Sequence, residues 1–328
     1  MPLLLATQSH VCHGYVGNRA ATFPLQCLGW DVDCCNSVQF SNHTGYGMDK
    51  VFGNITSTDD LNNILKDLFS KEKSHQYNAL LSGYLPNQMS VKCMSQNYKN
   101  YKSNHGDCVW LMDPVMGDEG QLYVSEDVVP EYRSIIFNNE PGLVNIITPN
   151  QFELELLCDK KIRTFEELEN CLTMLRKYVD TIIVTSIDSS LVETKETKEG
   201  KSTDESYIYC VVSSEKQSKG DGSQIFRVPL LKSYVTGVGD LFSALVLDRI
   251  YNYDAEERFD KKIPFYNQIN EVLDVIQRVL KLTQSYAPKD LVSKINSADE
   301  MKLMELRIIE ARDYYDKPTR HDYRYICH

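Results

Sequence analysis

The chain has 328 residues, 42% hydrophobic and 25% charged, which is enough apolar material for one large α/β domain or two smaller ones. A formal net charge of −11 argues against a nucleic-acid binder or a ligand of acidic membranes, but leaves room for a small anionic substrate held by dipoles and a metal. No run approaches the roughly 20 apolar residues of a membrane span, the start is too short and uncharged for a secretion signal, and the ten cysteines form no CxxC pair, so a reducing, cytoplasmic home is expected.

Leu3 to Ala6 reads as a buried strand ending at Thr7-Gln8-Ser9-His10. Gly14-Tyr15-Val16-Gly17-Asn18 then leads to a helix from Arg19 to Leu28. Asp31 to Val38 alternates as a second strand, followed by a polar loop from Phe40 to Gly47. Ser57 caps a helix with Leu61, Ile64, Leu65, Leu68 and Phe69 on one face. Asn78 to Leu81 is a third strand, ending at Ser82-Gly83-Tyr84, and residues 88–104 are polar and only weakly helical in pattern. Cys108 to Met112 is a fourth strand, ending in Asp113-Pro114-Val115-Met116-Gly117-Asp118, with a helix expected within 125–137. Strand Val144 to Ile147 ends in Thr148-Pro149-Asn150 and is followed by a helix from Gln151 to Leu157 and an amphipathic helix over 164–178. Strand Thr181 to Val184 ends at Thr185-Ser186. Residues 189–222 are polar and charged, a surface excursion interrupted by a strand from Tyr207 to Val212. An extended segment from Arg227 to Val235 runs into Thr236-Gly237-Val238-Gly239-Asp240 and a strongly apolar helix. Two more helices are expected over 267–285, where Ile269, Leu273, Ile276 and Leu280 make a core or dimer face, and over 299–312. The tail 317–328 has no periodicity. No repeat or linker divides the chain, so 1–328 is read as one domain.

Strand, polar strand end, helix, repeated, predicts a mostly parallel sheet covered on both faces, with ligands beyond the carboxyl ends of the strands. Ser9, Thr44, Tyr84, Asp113, Thr148, Thr185 and Asp240 fall at or just after predicted strand ends, where one rim gathers them. Gly237 and Gly239 allow a tight turn whose bare N–H groups and helix dipole favour phosphate, with Asp240 beside them as a carboxylate base. Taken alone, that stretch describes an ordinary turn with an Asp cap equally well. His10, Cys12 and His13 diverge as near neighbours and lack zinc spacing, so they read as packing residues.

Six blocks in this order carry a resemblance: Gln8-Ser9-His10, Gly14 to Ala21, Asn36 to Tyr46, Asp113 to Asp118, Thr148 to Glu153, and Gly237 to Asp240. Together they closely resemble the pyridoxal kinase branch of the ribokinase-like superfamily, over roughly residues 3–310. The resemblance implies ATP-dependent phosphorylation of the 5′-hydroxyl of pyridoxal, pyridoxine and pyridoxamine, with Asp240 as base and Gly237, Val238 and Gly239 as the anion hole. It implies substrate contacts from Ser9, Thr44, Tyr84 and Tyr123, the last on a flap over the site. Nucleotide contacts would come from Asn150, Glu153, Thr185, Ser186, Leu231, Lys232 and Ser233, with Val238 and Gly239. Asp118 is implied in holding Mg²⁺, and Asp113, Thr148 and Thr185 a monovalent cation, K⁺ or Na⁺. A homodimer is implied, with no nucleic-acid or membrane partner. Two departures stand out: Val238 replaces the usual Thr or Ala, so crowding of the phosphate and lower turnover are expected, and the short stretch Glu119 to Leu122 is expected to close the flap less completely. The rival readings are a hydroxymethylpyrimidine kinase and a weakly active or non-catalytic paralogue that holds vitamin B6 or nucleotide.

Overall fold

The computed structural model describes residues 1–70, 76–192, 206–215, 222–257, 264–289, 291–294, 297–319 and 321–325, and the backbone alone for 255–257. Parts of the expected 189–222 excursion and of the tail lie outside the described residues.

A ten-stranded sheet forms the middle layer. Its strands are β1 (Leu3–Val11), β2 (Asp31–Phe40), β3 (Gly53–Ile55), β4 (Ala79–Ser82), β5 (Val109–Met112), β8 (Ile146–Ile147), β9 (Thr181–Ile187), β10 (Tyr207–Ser214), β11 (Gln224–Pro229) and β12 (Arg324–Tyr325). The spatial order is β12-β11-β10-β9-β8-β5-β4-β1-β2-β3. Strands β2, β1, β4, β5, β8 and β9 pair in parallel, and the remaining strands are antiparallel at the two edges. A separate hairpin joins β6 (Gly117–Asp118) to β7 (Gln121–Leu122).

Successive residues of the central strands enter different apolar layers, as the period of two requires. Leu5, Trp110 and Met112 join the layer with the helices Thr58–Leu68, Gln88–Lys102, Val128–Phe137, Gln151–Cys158 and Phe165–Leu175. Leu4, Ala6 and Leu111 join the layer with the helices Asn18–Cys27, Val238–Glu257 and Tyr266–Tyr286. The alternation therefore produces the expected doubly covered parallel sheet.

Several local expectations are corrected. β1 continues to Val11, so Ser9 lies inside the strand at a register shift between Gln8 and His10 rather than beyond its end. β9 likewise runs on through Thr185 and Ser186. Residues 88–102 form a full helix, because Val91, Met94, Tyr98 and Tyr101 recur every three or four residues and the buried Tyr98 hydroxyl is satisfied by Thr7 Oγ1 at 2.7 Å. The extended segment before the glycine turn ends at Pro229, and residues 230–237 form a loop fastened to 291–293 by Ser233, Tyr234 and Ser293. The apolar stripe of the Tyr266–Tyr286 helix is core: Ile269, Leu273 and Ile276 pack within the second apolar layer. The helix expected over 299–312 is two short helical turns, Ala298–Met301 and Arg312–Tyr315, with a non-helical segment between them that buries Met304, Glu305, Leu306 and Ile308.

Candidate active site

Three backbones stack where the glycine turn meets the N-terminal blocks. Gly237 has φ +87°, and a Cβ there would sit 1.9 Å from the Tyr15 carbonyl oxygen. Gly17 has φ +51°, and its Cβ would sit 2.1 Å from the Ser9 carbonyl oxygen. Only glycine satisfies both the backbone angle and the close approach at these two positions. Asp240, in the first turn of the Val238–Glu257 helix, accepts a hydrogen bond from the Gly17 N–H. Burial pushes its carboxyl up to about 6, while the Gly17 N–H and the nearby His43 act downward.

Further acids crowd the same end of the sheet. Asp113 is buried and raised well above the usual carboxylate range, first by desolvation and then by the charges of Glu153 and Asp240. Ser243 Oγ donates to Asp113 Oδ2 at 3.1 Å and lies 2.8 Å from Thr148 Oγ1. Asp113 and Thr148 are thus joined through Ser243, a residue three positions after Asp240 that sequence reasoning missed. Thr185 sits on the neighbouring strand with its N–H on the Pro149 carbonyl at 2.9 Å. Asp118 is half-buried, its carboxyl raised by burial, and its Oδ1 accepts the Glu119 N–H at 2.9 Å. Among the described residues no set of three or more His, Cys, Asp and Glu has a geometry to hold a metal. A cation here would therefore be bound by one or two carboxylates together with phosphate and water, which is how Mg²⁺ is usually held.

The residues that the resemblance implies for the nucleotide are tightly fixed. Asn150 and Glu153 form a reciprocal cap on the Gln151–Cys158 helix, with Glu153 N–H to Asn150 Oδ1 at 2.8 Å and Asn150 N–H to Glu153 Oε2 at 3.0 Å. Glu153 Oε1 also accepts the Met116 N–H at 2.9 Å, and Asn150 Nδ2 donates to the Gly117 carbonyl at 2.8 Å. These contacts clamp the β6–β7 hairpin to the helix. Thr185 and Ser186 are half-buried on β9, Leu231 and Ser233 are half-buried in the loop before the glycine turn, and Lys232 is exposed.

The residues that the resemblance implies for the acceptor come from sequence-distant loops. Ser9 is buried against Gly17, Thr44 is exposed at the start of a short 3-10 turn, and Tyr84 is half-buried with its carbonyl held by Ser37 Oγ at 2.7 Å. Tyr123 follows the hairpin and hydrogen-bonds through its hydroxyl to Tyr234. Around them Gln8 Nε2, His43 Nδ1 and Thr236 Oγ1 are buried with no partner among the described residues. Such atoms in a native fold call for a ligand or water.

Comparison with known proteins places this arrangement. The family model described as phosphomethylpyrimidine kinase matches residues 57–246. The bovine pyridoxal kinase is 34% identical over 325 residues, covering 96% of this chain and 95% of its own length. BUD16 of Saccharomyces cerevisiae is 56% identical over 326 residues, covering 99% of both chains. The solved pyridoxal kinase of Leishmania donovani in complex with ADP and pyridoxamine superposes with a TM-score of 0.76 at 26% identity, over 99% of this chain and 98% of that one. The chain belongs to the pyridoxal kinase family.

Both departures from the pyridoxal kinase pattern have a structural counterpart. The half-buried Val238 side chain packs in part against the apolar layer that holds Leu241 and Leu245. The short hairpin turns on Glu119 at φ +47° and Gly120 at φ +80°, the left-handed pair that a two-residue loop requires, and brings Tyr123 to Tyr234. Tyr234 and Glu305 carried no sequence signal. Glu305 was hidden by the regular helix expected around it, and it lies beyond the span of the family model.

Proposed function

We propose that this chain transfers the γ-phosphoryl group of ATP to the 5′-hydroxyl of pyridoxal, pyridoxine and pyridoxamine, giving the 5′-phosphate and ADP. The placement of Asp240 carries the reading: a carboxylate raised to about 6 stands between the Gly17 loop and the anion-binding turn of Gly237 to Gly239. The hydroxyl oxygen attacks the γ-phosphorus, the bond to the β–γ bridging oxygen breaks, and Asp240 takes the hydroxyl proton as the new bond forms. The N–H groups of Val238 and Gly239 and the helix dipole stabilise the equatorial oxygens of the transferring group. Ser9, Thr44, Tyr84 and Tyr123 line the acceptor. Asn150, Glu153, Thr185, Ser186 and Leu231 to Ser233 frame the nucleotide.

The crowding of Asp113, Asp118, Glu153 and Asp240 supports cations in the working site, since Glu153 and Asp240 raise Asp113 and Asp118 raises Glu153. Asp118 would hold Mg²⁺, which when bound neutralises phosphate charge. Asp113, Thr148 and Thr185 offer one carboxylate and two hydroxyls, a hard oxygen set suited to K⁺ or Na⁺. The single ten-stranded sheet favours one kinase domain over 1–328. A homodimer fits the apolar side chains of Met48, Phe52 and Ile55, which stand exposed around edge strand β3. The reduced cysteines favour a cytoplasmic enzyme.

The test is an ADP-formation assay on the purified chain with MgATP, with and without K⁺, against the three vitamers and hydroxymethylpyrimidine. Phosphorylated vitamer, identified by mass, is the expected product. Phosphorylation of the pyrimidine alone would overturn the substrate assignment. Tight vitamer binding without transfer would identify a non-catalytic paralogue.

A further inference from the structure

Glu305 is a buried carboxylate in a non-helical stretch of the C-terminal segment, far in sequence from every motif of the site. Its Oε1 accepts the Tyr46 hydroxyl at 2.9 Å and lies 3.0 Å from His43 Nε2, and its Oε2 accepts the Tyr15 N–H at 3.1 Å. A Cβ at Gly14 would meet both oxygens at 2.6 and 2.7 Å, so the loop presses directly on the carboxylate. These bonds hold the carboxyl below the usual glutamate range against the opposing effect of burial. The flanking residues reach the same place: Met301 Sδ would lie 3.1 Å from a Cβ on Gly45, and Leu306 Cδ1 3.3 Å from one on Gly237. One segment therefore touches the Gly14–Gly17 loop, the His43–Tyr46 loop and the glycine turn.

Both loops lead to Asp240. Tyr15 is two residues from Gly17, whose N–H binds the Asp240 carboxylate, and the His43 ring is close enough to act on the charge of Asp240. The donor-side clamp of Asn150 and Glu153 shares none of these bonds. We propose that Glu305 is a positioning residue for the acceptor half of the reaction: it fixes His43 and the Tyr15–Gly17 loop so that Asp240 and the acceptor hydroxyl meet in transfer geometry. The inference rests on Asp240 being the base.

The experiment is steady-state kinetics of Glu305→Gln beside Asp240→Asn, in the full chain, with MgATP and pyridoxal varied separately. For Glu305→Gln we expect kcat to fall about 30-fold and KM for pyridoxal to rise about fivefold while KM for MgATP stays within about twofold, because loss of near-attack geometry on one side spares the other. His43→Gln combined with Glu305→Gln should cost little more than either alone, as expected for one unit. Tyr46→Phe keeps the ring and removes one bond to Oε1, so it should give a weaker effect of the same kind if Glu305→Gln folds poorly. Equal change in both KM values, or reduced thermal stability with unaltered kinetic constants in the folded fraction, would overturn the proposal. If Asp240→Asn stayed active, the base assignment would fail instead, which separates the two readings.

Discussion

The two halves of the cleft are finished to different degrees. On the donor half both carboxylate oxygens of Glu153 accept backbone N–H groups, and the Asn150 amide is engaged at both ends. On the acceptor half Gln8 Nε2 and His43 Nδ1 are buried and have no partner among the described residues. A buried polar atom left unpaired costs about 1–3 kcal/mol, which a ligand offering the matching group recovers. On the proposed assignment the donor half is a rigid seat for a nucleotide, and discrimination falls to the acceptor half, where a molecule lacking the right polar groups would leave those atoms unsatisfied.

The largest effect should come from the residue between the halves. Asp240→Asn removes the base without changing its size, and kcat should fall by about 10³ while ATP binding, read by calorimetry, survives. In the unaltered enzyme kcat should drop tenfold per unit below about pH 6 and level off above it, since the ionised carboxylate is the active form. Stability runs the other way. A carboxyl raised to about 6 in the fold and ordinary in the unfolded chain costs stability as pH rises from the unfolded value through 6. Asp240→Asn should therefore unfold at a higher temperature than wild type at pH 7.5 and lose that advantage below about pH 4. A flat profile across pH 6 would mean that another group takes the proton.

On the donor half Glu153→Gln offers one acceptor oxygen where the carboxylate offers two. The Met116–Gly117 backbone should loosen, at a stability cost of about 1–3 kcal/mol. KM for ATP should rise about tenfold with KM for pyridoxal little changed, the mirror image of the Glu305→Gln expectation. If both variants altered the same substrate, the two halves would not be independent.

This division also explains what the sequence made legible. The strands of the central sheet, the Thr148 to Glu153 block and the Gly-Val-Gly-Asp turn are local patterns, encoded within a few residues each. The acceptor half is assembled by tertiary approach: Glu305 meets Tyr15, His43 and Tyr46 from more than 250 positions away. No window of sequence contains that contact. The strand ends were misplaced for a related reason. Ser9, Thr185 and Ser186 sit at register shifts, where the strand runs on past an irregularity in its pairing, and a polar residue at such a point reads from sequence as a strand end.

A smaller effect should follow from parting the hairpin from the loop that faces it. Tyr234→Phe removes the partner of the Tyr123 hydroxyl and keeps the ring. Closure of the hairpin should weaken, so ATP hydrolysis without acceptor phosphorylation should rise about threefold with kcat for pyridoxal within about twofold. Unchanged hydrolysis would show that Tyr123 stays in place without the bond.

The smallest effect is expected at the position the sequence marked as most suspect. Val238 opens the helix at the glycine turn, and its half-buried side chain packs against the second apolar layer. Val238→Thr exchanges a half-buried methyl for a hydroxyl of similar size, so it should cost about 1 kcal/mol of stability or less by differential scanning calorimetry. Turnover should stay within about twofold, because the backbone donor that faces the phosphate is the same in both. A rise of tenfold or more in kcat would mean that the valine side chain does reach the transferring phosphoryl group and that the turn, more than the acceptor half, limits this enzyme.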